Sequence, residues 1–322
     1  MSQTSPIDRP AGWHIWAAVR WMMVALLAFT AIAIAGRGAA QTLTTSEIVF
    51  YRCWASFAIL LIVIVASGRG FGQFRTTQLP LHMSRSVIHL GATFTWLYAL
   101  PLISLAELIA IEFTAPLWTG LLAVLLLGER LTVTRALAAL IGFVGVLVVV
   151  RPVDLVVGPG TISALIAAVC FGCHYAMTKK LTRQDSPLTL LFYTTFIQAG
   201  LASLFALGGL RLPNLQAAGW IGLMSLLGLA AHFSLSRAFS LADAIVVAPM
   251  DFLRLPASAL VGALLYAEVV HPLVLVGAGL VVFANGLNIW GERRSTIAAH
   301  AMNSASAPGV PRRARRRGRI LP

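Results

Sequence analysis

Acidic residues are scarce in this sequence, and charge of either sign is rare. Only 11 of the 322 residues are Asp or Glu, against 24 Lys and Arg. Charged residues make up 11% of the chain, whereas 58% of it is hydrophobic. No soluble fold of this length needs so much apolar sequence. The composition therefore excludes an ordinary soluble protein and indicates an integral membrane protein.

Cysteine is also rare, and its placement argues against disulfide or zinc chemistry. The three cysteines, Cys53, Cys170 and Cys173, all lie in apolar stretches. Cys170 and Cys173 form a CxxC motif beside His174, but one such pair has too few ligands for a closed metal site. Thioredoxin-type chemistry would need a soluble βαβ setting. We interpret these cysteines as small packing residues and predict no metal and no cofactor.

Motifs of the common catalytic classes are absent. The sequence has no Gly-rich phosphate loop followed by Lys, no HExxH and no G-x-S-x-G. These absences disfavour an enzyme and a self-sufficient nucleotide-driven pump. Any transport would then draw on gradients of substrate or ions.

The most informative feature that is present is an internal repeat. The segment 99–129, ALPLISLAELIAIEFTAPLWTGLLAVLLLGE, aligns without a gap with the segment 238–268, which lies 139 residues later. Glu112 aligns with Asp251, and both segments end in glutamate. Two coincidences among so few acidic residues, inside hydrophobic surroundings, indicate that the chain contains two like-built halves.

Ten stretches are long and apolar enough to cross a membrane, which takes about 20 apolar residues for a bilayer core of about 30 Å. They form two groups of five, in a first half at 20–150 and a second half at 161–291. The first stretch resembles a cleavable signal peptide, but it aligns with the sixth at the same offset, so we keep it as a helix. The ten predicted spans are 20–38, 48–67, 84–102, 106–127, 133–150, 161–178, 188–208, 217–237, 244–266 and 272–291.

Positive charges flank these spans unevenly. If the N-terminus is cytoplasmic, the outside receives only Arg37, Arg151 and Arg211, and the other flanking basic residues, Arg85 among them, lie inside. Because each half has an odd number of spans, the second half enters the membrane upside down. We therefore predict an all-α membrane protein with ten transmembrane helices in two inverted five-helix repeats, and with both termini in the cytoplasm.

The two ends of the chain are predicted to be tails. Residues 1–19 form a cytoplasmic N-terminal tail. Residues 296–322 hold six arginines between Arg312 and Arg319 among Pro, Gly and Ala, which is typical of a disordered basic segment. Such a segment fixes orientation and contacts anionic lipid. We thus predict the lipid bilayer, and not nucleic acid, as its partner.

Small residues recur in spans 5 and 10. Such residues let helix backbones approach closely inside a membrane. We predict a packing role, and no other, for Ala138, Gly142, Gly145, Gly277, Gly279 and Gly286.

Several motifs of the first half carry a family resemblance. They are an aromatic residue followed by Ala-Leu at the end of span 3, Pro-Leu in span 4, Gly-Glu-Arg, and a glycine in span 5. The residues are Tyr98, Ala99, Leu100, Pro116, Leu117, Gly128, Glu129, Arg130 and Gly145. This set resembles the EamA-type transporters of the drug/metabolite transporter superfamily. The resemblance implies a ten-helix permease whose central cavity is lined mainly by helices 1, 3, 4, 6, 8 and 9. It also implies carriage of amino acids or their derivatives, S-adenosylmethionine-like compounds or vitamins.

Ionisable side chains inside the spans are few, and each costs about 2.5 to 3.5 kcal/mol on insertion scales. They either form ion pairs that fix helix register or line a cavity. We favour the cavity for Glu112, Asp251 and Arg254, with Arg254 binding a substrate carboxylate or phosphate and a carboxylate binding an ammonium group or a proton. Arg52, at a depth similar to that of Glu112, and Arg237 are predicted to be structural.

Prolines and aromatic residues complete the candidate site. Prolines interrupt spans 4 and 9, and freed carbonyls at membrane depth are tolerated only against protein or water. A packing kink is the alternative. These prolines are Pro116, Pro249 and Pro256. His174 is the best histidine candidate, although it could equally be a core histidine. The rings that could stack on a planar ligand belong to Trp96, Tyr98, Trp118, Tyr175, Phe252, His89, His174 and His232.

Together these features predict an inner-membrane secondary transporter of small organic metabolites that works by alternating access. A facilitative exchanger without proton coupling is the alternative within transport. From a different class, the alternative is a membrane-embedded enzyme or sensor. Proton coupling and a homodimer are both left open.

Overall fold

The chain is helical throughout the part that the computed structural model describes, namely residues 12–68, 70–103, 108, 111–129, 131–150, 158–254 and 272–306. No strand occurs among these residues. The helices are α1 (Gly12–Ala40), α2 (Thr45–Ala66), α3 (Leu79–Ala99), α4 (Ala115–Leu127), α5 (Val133–Val150), α6 (Pro159–Leu181), α7 (Pro187–Ala202), α8 (Leu215–Leu241), α9 (Ala244–Val247) and α10 (Pro272–Ser306). Short 3₁₀ segments lie at Phe71–Phe74, Ser203–Gly208 and Ala248–Leu253.

Several helices are long and apolar enough to cross a membrane. In the described part of the chain five segments qualify: Ile15–Ala40, Thr45–Ala66, Pro159–Leu181, Pro187–Phe205 and Leu215–Leu241. Shorter apolar helices occur within α4, α5, α9 with its 3₁₀ continuation, and α10. The all-helical membrane class is therefore confirmed. The count of ten spans and the inverted arrangement stay predictions.

Side chains that cap the first turn fix where three of the helices begin. Thr44 precedes α2 in a capping box, in which its Oγ1 accepts from the Glu47 backbone N–H and the Glu47 carboxylate accepts from the Thr44 N–H. Ser186 accepts from the Thr189 N–H at the start of α7. Asn214 caps α8 in the same way. These caps satisfy backbone donors that would otherwise be unpaired at the helix ends.

Helices extend into both predicted tails. Helix α1 begins at Gly12, so part of the predicted tail 1–19 is helical. Helix α10 continues to Ser306, so residues 296–306 of the predicted C-terminal tail are helical. The apolar window alone set the predicted boundaries, and a helix can extend beyond it into polar sequence. The arginine-rich part of the tail lies outside the described residues.

The helices pair in a pattern that relates the two halves of the chain. Helix α1 packs along α8, and α3 packs along α6. Helix α5 packs along α10, and α2 along α7. The two halves correspond helix by helix, so that α1 matches α6 and α5 matches α10. Exchanging the halves turns the pair α1–α8 into the pair α6–α3. The pairs α5–α10 and α2–α7 stay unchanged. The packing is therefore the one expected of two halves that exchange places about a two-fold axis.

Glycines permit the close contact of α5 with α10. A Cβ atom at Gly145 would lie 2.9 Å from the Gly277 carbonyl oxygen. A Cβ atom at Gly142 would lie 2.7 Å from the Phe252 ring. The predicted packing role is thus confirmed at these positions. Gly279 and Gly286 have open space in place of a side chain, so the prediction does not extend to them.

A buried carboxylate between α4 and α5 connects the first half of the chain to the start of α9. The Oε1 and Oε2 atoms of Glu129 accept hydrogen bonds of 3.1 Å each from the backbone N–H groups of Ala244 and Ile245. A negative charge at a helix N-terminus also interacts favourably with the helix dipole. Glu129 therefore fixes the position of α9, which leads into the candidate site.

Candidate functional site

The fourth predicted span is interrupted just before Pro116. The chain is helical at Ile111 and Glu112, forms a turn at Phe113 and Thr114, and begins α4 at Ala115. Pro116 lies in the first turn of α4 and not in mid-helix, which corrects the prediction. A proline in a first turn removes no intrahelical hydrogen bond, so the break itself precedes the proline.

The ninth predicted span is interrupted at the matching place in the second half. Helix α9 ends at Val247, and the chain continues as the 3₁₀ segment Ala248–Leu253 with Pro249 in its first turn. A short 3₁₀ stretch inside an apolar span often marks a functional hinge. Pro256 lies outside the described residues. Each half thus has an interrupted helix, and the predicted charged residues lie at both interruptions.

Glu112, Asp251 and Arg254 form one buried ion cluster across the two halves. Arg254 Nη2 donates to Glu112 Oε1 at 2.6 Å and to Asp251 Oδ2 at 3.4 Å. Trp96 Nε1 donates to the second oxygen of Glu112, Oε2, at 2.8 Å. All four side chains are buried. The structure therefore brings four of the predicted site residues together.

Aromatic rings enclose the guanidinium of this cluster. The Arg254 Cζ atom lies 5.3 Å from the centroid of the Phe113 ring and 5.9 Å from that of Phe29. Phe252 meets Phe113 edge-on, with 5.9 Å between the ring centroids. Rings at this distance attract a cation through their negative faces. The aromatic surroundings keep the cluster dry and strengthen its electrostatic interactions.

The cluster keeps polar atoms that no described residue satisfies. Asp251 Oδ1 and Arg254 Nε are buried and have no hydrogen-bond partner in the described part of the chain. Buried polar atoms are almost always paired, so each such atom calls for an explanation. Oδ1 of an ionised Asp251 can only accept a hydrogen bond, whereas Nε can only donate one. A small polar ligand carrying both kinds of group would satisfy them.

Other predicted residues lie outside this cluster. Tyr98 and Trp118 are 42% and 39% exposed, which places them at the surface of the helix bundle. Tyr175 is buried beside Phe171 and Phe239, next in sequence to His174. The guanidinium of Arg237 lies 5.8 Å from the Trp21 ring centroid, a contact that accords with its predicted structural role.

Glu112 does not pair with Arg52, although the depth estimate placed the two residues at similar levels. A shared depth does not decide which side chains meet, and Glu112 pairs with Arg254 instead. Arg52 lines a separate cavity together with His89 and His232.

Arg85 is a residue that the sequence analysis misplaced. It was counted among the cytoplasmic flanking charges, but its side chain is fully buried. Its Nε donates to Thr178 Oγ1 at 2.8 Å, and a second nitrogen donates to Thr194 Oγ1. Because α3 begins at Leu79, Arg85 lies about 9 Å into the helix at 1.5 Å per residue. Pro80 could have indicated this earlier helix start.

The three histidines form a cluster that the sequence named but did not group. The rings of His89 and His174 stack with centroids 4.2 Å apart, and His232 meets His89 edge-on at 4.5 Å. The histidines come from α3, α6 and α8, so no spacing in the sequence could have joined them.

Comparison with known proteins decides the family. The model of the EamA-like transporter family matches residues 16–151 and again residues 158–290. The chain belongs to the EamA-like transporter family. This EamA-like chain is also 25% identical over 277 residues to an S-adenosylmethionine uptake transporter of Rickettsia bellii, covering 86% of the chain and 94% of the relative. It is 26% identical over 272 residues to a riboflavin transporter of Brucella anthropi, covering 82% of the chain and 95% of the relative.

A solved crystal structure matches the fold of this EamA-like chain with a TM-score of 0.72 at 18% identity. The match covers 87% of the chain and 99% of the solved one, and it bears on the fold alone. The family and the named relatives are transporters and not enzymes. The predictions of a membrane transporter and of no enzyme activity are therefore confirmed.

Proposed function

We propose that this chain is a secondary transporter that moves a small organic metabolite across the inner membrane by alternating access, with both termini in the cytoplasm. The single observation that carries the proposal is the buried cluster of Glu112 with Asp251 and Arg254. Its members come from both halves of the chain and lie at two interrupted helices. Interruptions at corresponding positions of two repeats are the best pointer to a transport site.

The cluster has the properties of a binding site more than those of a structural ion pair. Burying charges costs several kcal/mol per ion unless every lone pair and proton is satisfied. Here Asp251 Oδ1 and Arg254 Nε lack described partners, and two carboxylates face one guanidinium. A substrate with an ammonium or other cationic donor would satisfy Asp251. An acceptor on the same molecule would satisfy Arg254.

The helix pairing supports an inverted arrangement around this site. Exchanging the halves converts the pair α1–α8 into the pair α6–α3 and leaves the pairs α5–α10 and α2–α7 unchanged. Such symmetry allows the site to open to one side and then to the other through nearly equivalent movements. The positive charges that flank the spans support a cytoplasmic location of both termini.

The experiment is a flux measurement with the purified full chain in liposomes. The probes are S-adenosylmethionine and riboflavin, because relatives carry those names, together with a panel of amino acids and nucleosides. We expect saturable uptake of at least one compound above that of protein-free liposomes. If no compound moves, or if uptake does not saturate, the proposed function is wrong.

An imposed pH gradient distinguishes proton coupling from simple exchange. With the transported compound identified, uptake is compared with and without a gradient across the liposome membrane at equal internal substrate. We expect the gradient to drive accumulation, because Asp251 presents an unpaired carboxylate oxygen that a proton can occupy. Uptake that ignores the gradient but follows the internal substrate would favour a facilitative exchanger.

A further inference from the structure

A cavity with several polar residues in its walls lies away from the Glu112–Arg254 cluster. Its walls come from α2, α3, α7 and α8. The polar residues that line it include Arg52, Ser56, His89, Thr194, Gln198 and His232. Its volume is about 20 Å³, and about 10 to 15 Å³ suffices for one water molecule. The cavity in this conformation therefore admits a group the size of a single oxygen atom.

Two buried guanidinium groups lie close to this cavity, Arg52 in its wall and Arg85 behind Thr194. Arg52 is 9% exposed, its Nε has no hydrogen-bond partner among the residues that the structure describes, and its Nη2 lies 4.0 Å from Cys53 Sγ. Arg85 donates to Thr194, which itself lines the cavity. No carboxylate within the described ranges forms an ion pair with either guanidinium. A buried cation without a counterion is costly, so these two residues create a strong preference for an anion.

The histidine cluster adds donors to the same place. Gln198 Nε2 donates to the Ser86 carbonyl oxygen at 3.1 Å and contacts His89 Nδ1 at 2.7 Å. Because the Ser86 carbonyl can only accept, this end of the amide is the donor, and Nδ1 of His89 accepts. A neutral His89 therefore carries its proton on Nε2. His174, 0% exposed, has two ring nitrogens without a described partner.

The histidine cluster is small enough for one ligand atom to contact all three rings. One ring nitrogen from each of the three histidines lies within 4.8 Å of the others. The centre of such a triangle lies at most about 2.8 Å from each corner, which is within hydrogen-bond length. The two buried guanidinium groups, Arg52 and Arg85, would repel a metal cation. Charge therefore favours an anion at this cluster.

One aromatic ring lies close to both the cavity and the ion cluster. The centroid of the Phe29 ring lies 5.5 Å from that of His232 and 5.9 Å from the Arg254 Cζ atom. The first site holds two cations and three imidazoles, and the second holds two carboxylates around one guanidinium. The two sites together present opposite charges to a molecule bound between them.

We infer that Arg52, Arg85 and the His89–His174–His232 cluster form an oxyanion site, which binds a carboxylate or phosphate group of the transported metabolite. The inference rests on the proposed transport function, because the bound acidic group is taken to belong to the transported metabolite. It predicts that this metabolite carries a carboxylate or phosphate. Under this inference Arg52 binds the ligand, whereas the sequence analysis predicted a structural role for it. Gln198 and Thr194 are positioning residues that orient His89 and Arg85.

The test measures anion binding without transport, as the melting temperature of the purified full chain. The probes are acetate and inorganic phosphate in separate titrations, with ionic strength held constant by sodium chloride. Acetamide serves as the uncharged analogue of acetate. At ten times the dissociation constant, a ligand of the folded state should raise the melting temperature by about 3 °C. We expect that shift for acetate, phosphate or both, and none for acetamide.

Substitutions test which residues are responsible for the shift in melting temperature. Arg52→Gln and His174→Asn should each abolish the shift, whereas Asp251→Asn should keep it. Arg75→Gln is the matched control, because Arg75 is an exposed arginine outside the cavity. An equal shift in Arg52→Gln, or no shift with either anion, would overturn the inference. Stabilisation by zinc chloride alone, reversed by a chelator, would also overturn it in favour of a metal site.

The two proposals can fail separately. Metabolite flux in liposomes without any anion shift would leave the transport function intact and reject the oxyanion site. An anion shift that requires Arg52, in a protein that moves no compound, would reject the transport function and keep the site.

Discussion

Replacing Asp251 with asparagine is expected to reduce metabolite flux about 10- to 100-fold, because a hydrogen bond to a charged group contributes about 1.5 to 3 kcal/mol. Asparagine has the shape of aspartate but carries no charge. Oδ1 of Asp251 has no described partner, so the substitution should disturb the folded protein little. Initial uptake into liposomes, normalised to the amount of monodisperse protein, measures the effect.

Arg254→Ala should abolish the same metabolite flux. This substitution tests the cationic member of the cluster, whereas Asp251→Asn tests an anionic one. Removing the guanidinium leaves Glu112 and Asp251 facing each other without a cation, so some loss of stability is expected too. The matched control is Arg237→Gln, since Arg237 is a partly buried arginine that contacts Trp21 and not the cluster. Normal flux in both Asp251→Asn and Arg254→Ala would reduce the cluster to a structural ion pair.

The second prediction concerns the stability of the folded protein, which depends on the close contact of α5 with α10. In Gly145→Ala the new methyl group would lie 2.9 Å from the Gly277 carbonyl oxygen. A backbone atom cannot move aside by rotating a side chain, so the helices must separate. Overpacking of this kind costs about 1 to 3 kcal/mol. We expect the melting temperature of the purified protein to fall by several degrees.

Gly279→Ala provides the control for that experiment. Gly279 lies in α10 near Gly277, and nothing lies within 4 Å of the position that its Cβ would take. Alanine in a helix is more favourable than glycine by about 0.5 to 1 kcal/mol. The melting temperature of Gly279→Ala should therefore stay unchanged or rise slightly. Equal destabilisation by both substitutions would contradict the close contact of the helices.

The sequence predicted the helices and the central residues of the cluster for clear physical reasons. Apolar runs of membrane length leave a helix as the only way to satisfy the backbone. Charged residues inside such runs are costly and therefore informative, which is why Glu112, Asp251 and Arg254 could be selected from the sequence alone. The structure adds that they meet in one cluster, although their role in transport stays a proposal.

Features that depend on exact helix ends and on contacts between helices could not be predicted. Arg85 was misplaced because the apolar window began several residues after the true start of α3. The partner of Glu112 could not be predicted, because a depth shared with Arg52 does not decide which side chains meet. The histidine cluster joins three helices, and periodicity within one helix contains no information about its neighbours.

Labelling from one side of the membrane tests most directly whether the two halves are inverted around a shared site. Gln41 and Gln184 are exposed and lie in the loop between the first and second helix of their respective halves. Single cysteines are introduced by Gln41→Cys or Gln184→Cys after replacement of Cys53, Cys170 and Cys173. A membrane-impermeant maleimide on intact cells should label the Gln41→Cys protein and reach the Gln184→Cys protein only after permeabilisation. Labelling of both positions from the same side would contradict the inverted arrangement and, with it, alternating access at the Glu112–Arg254 cluster.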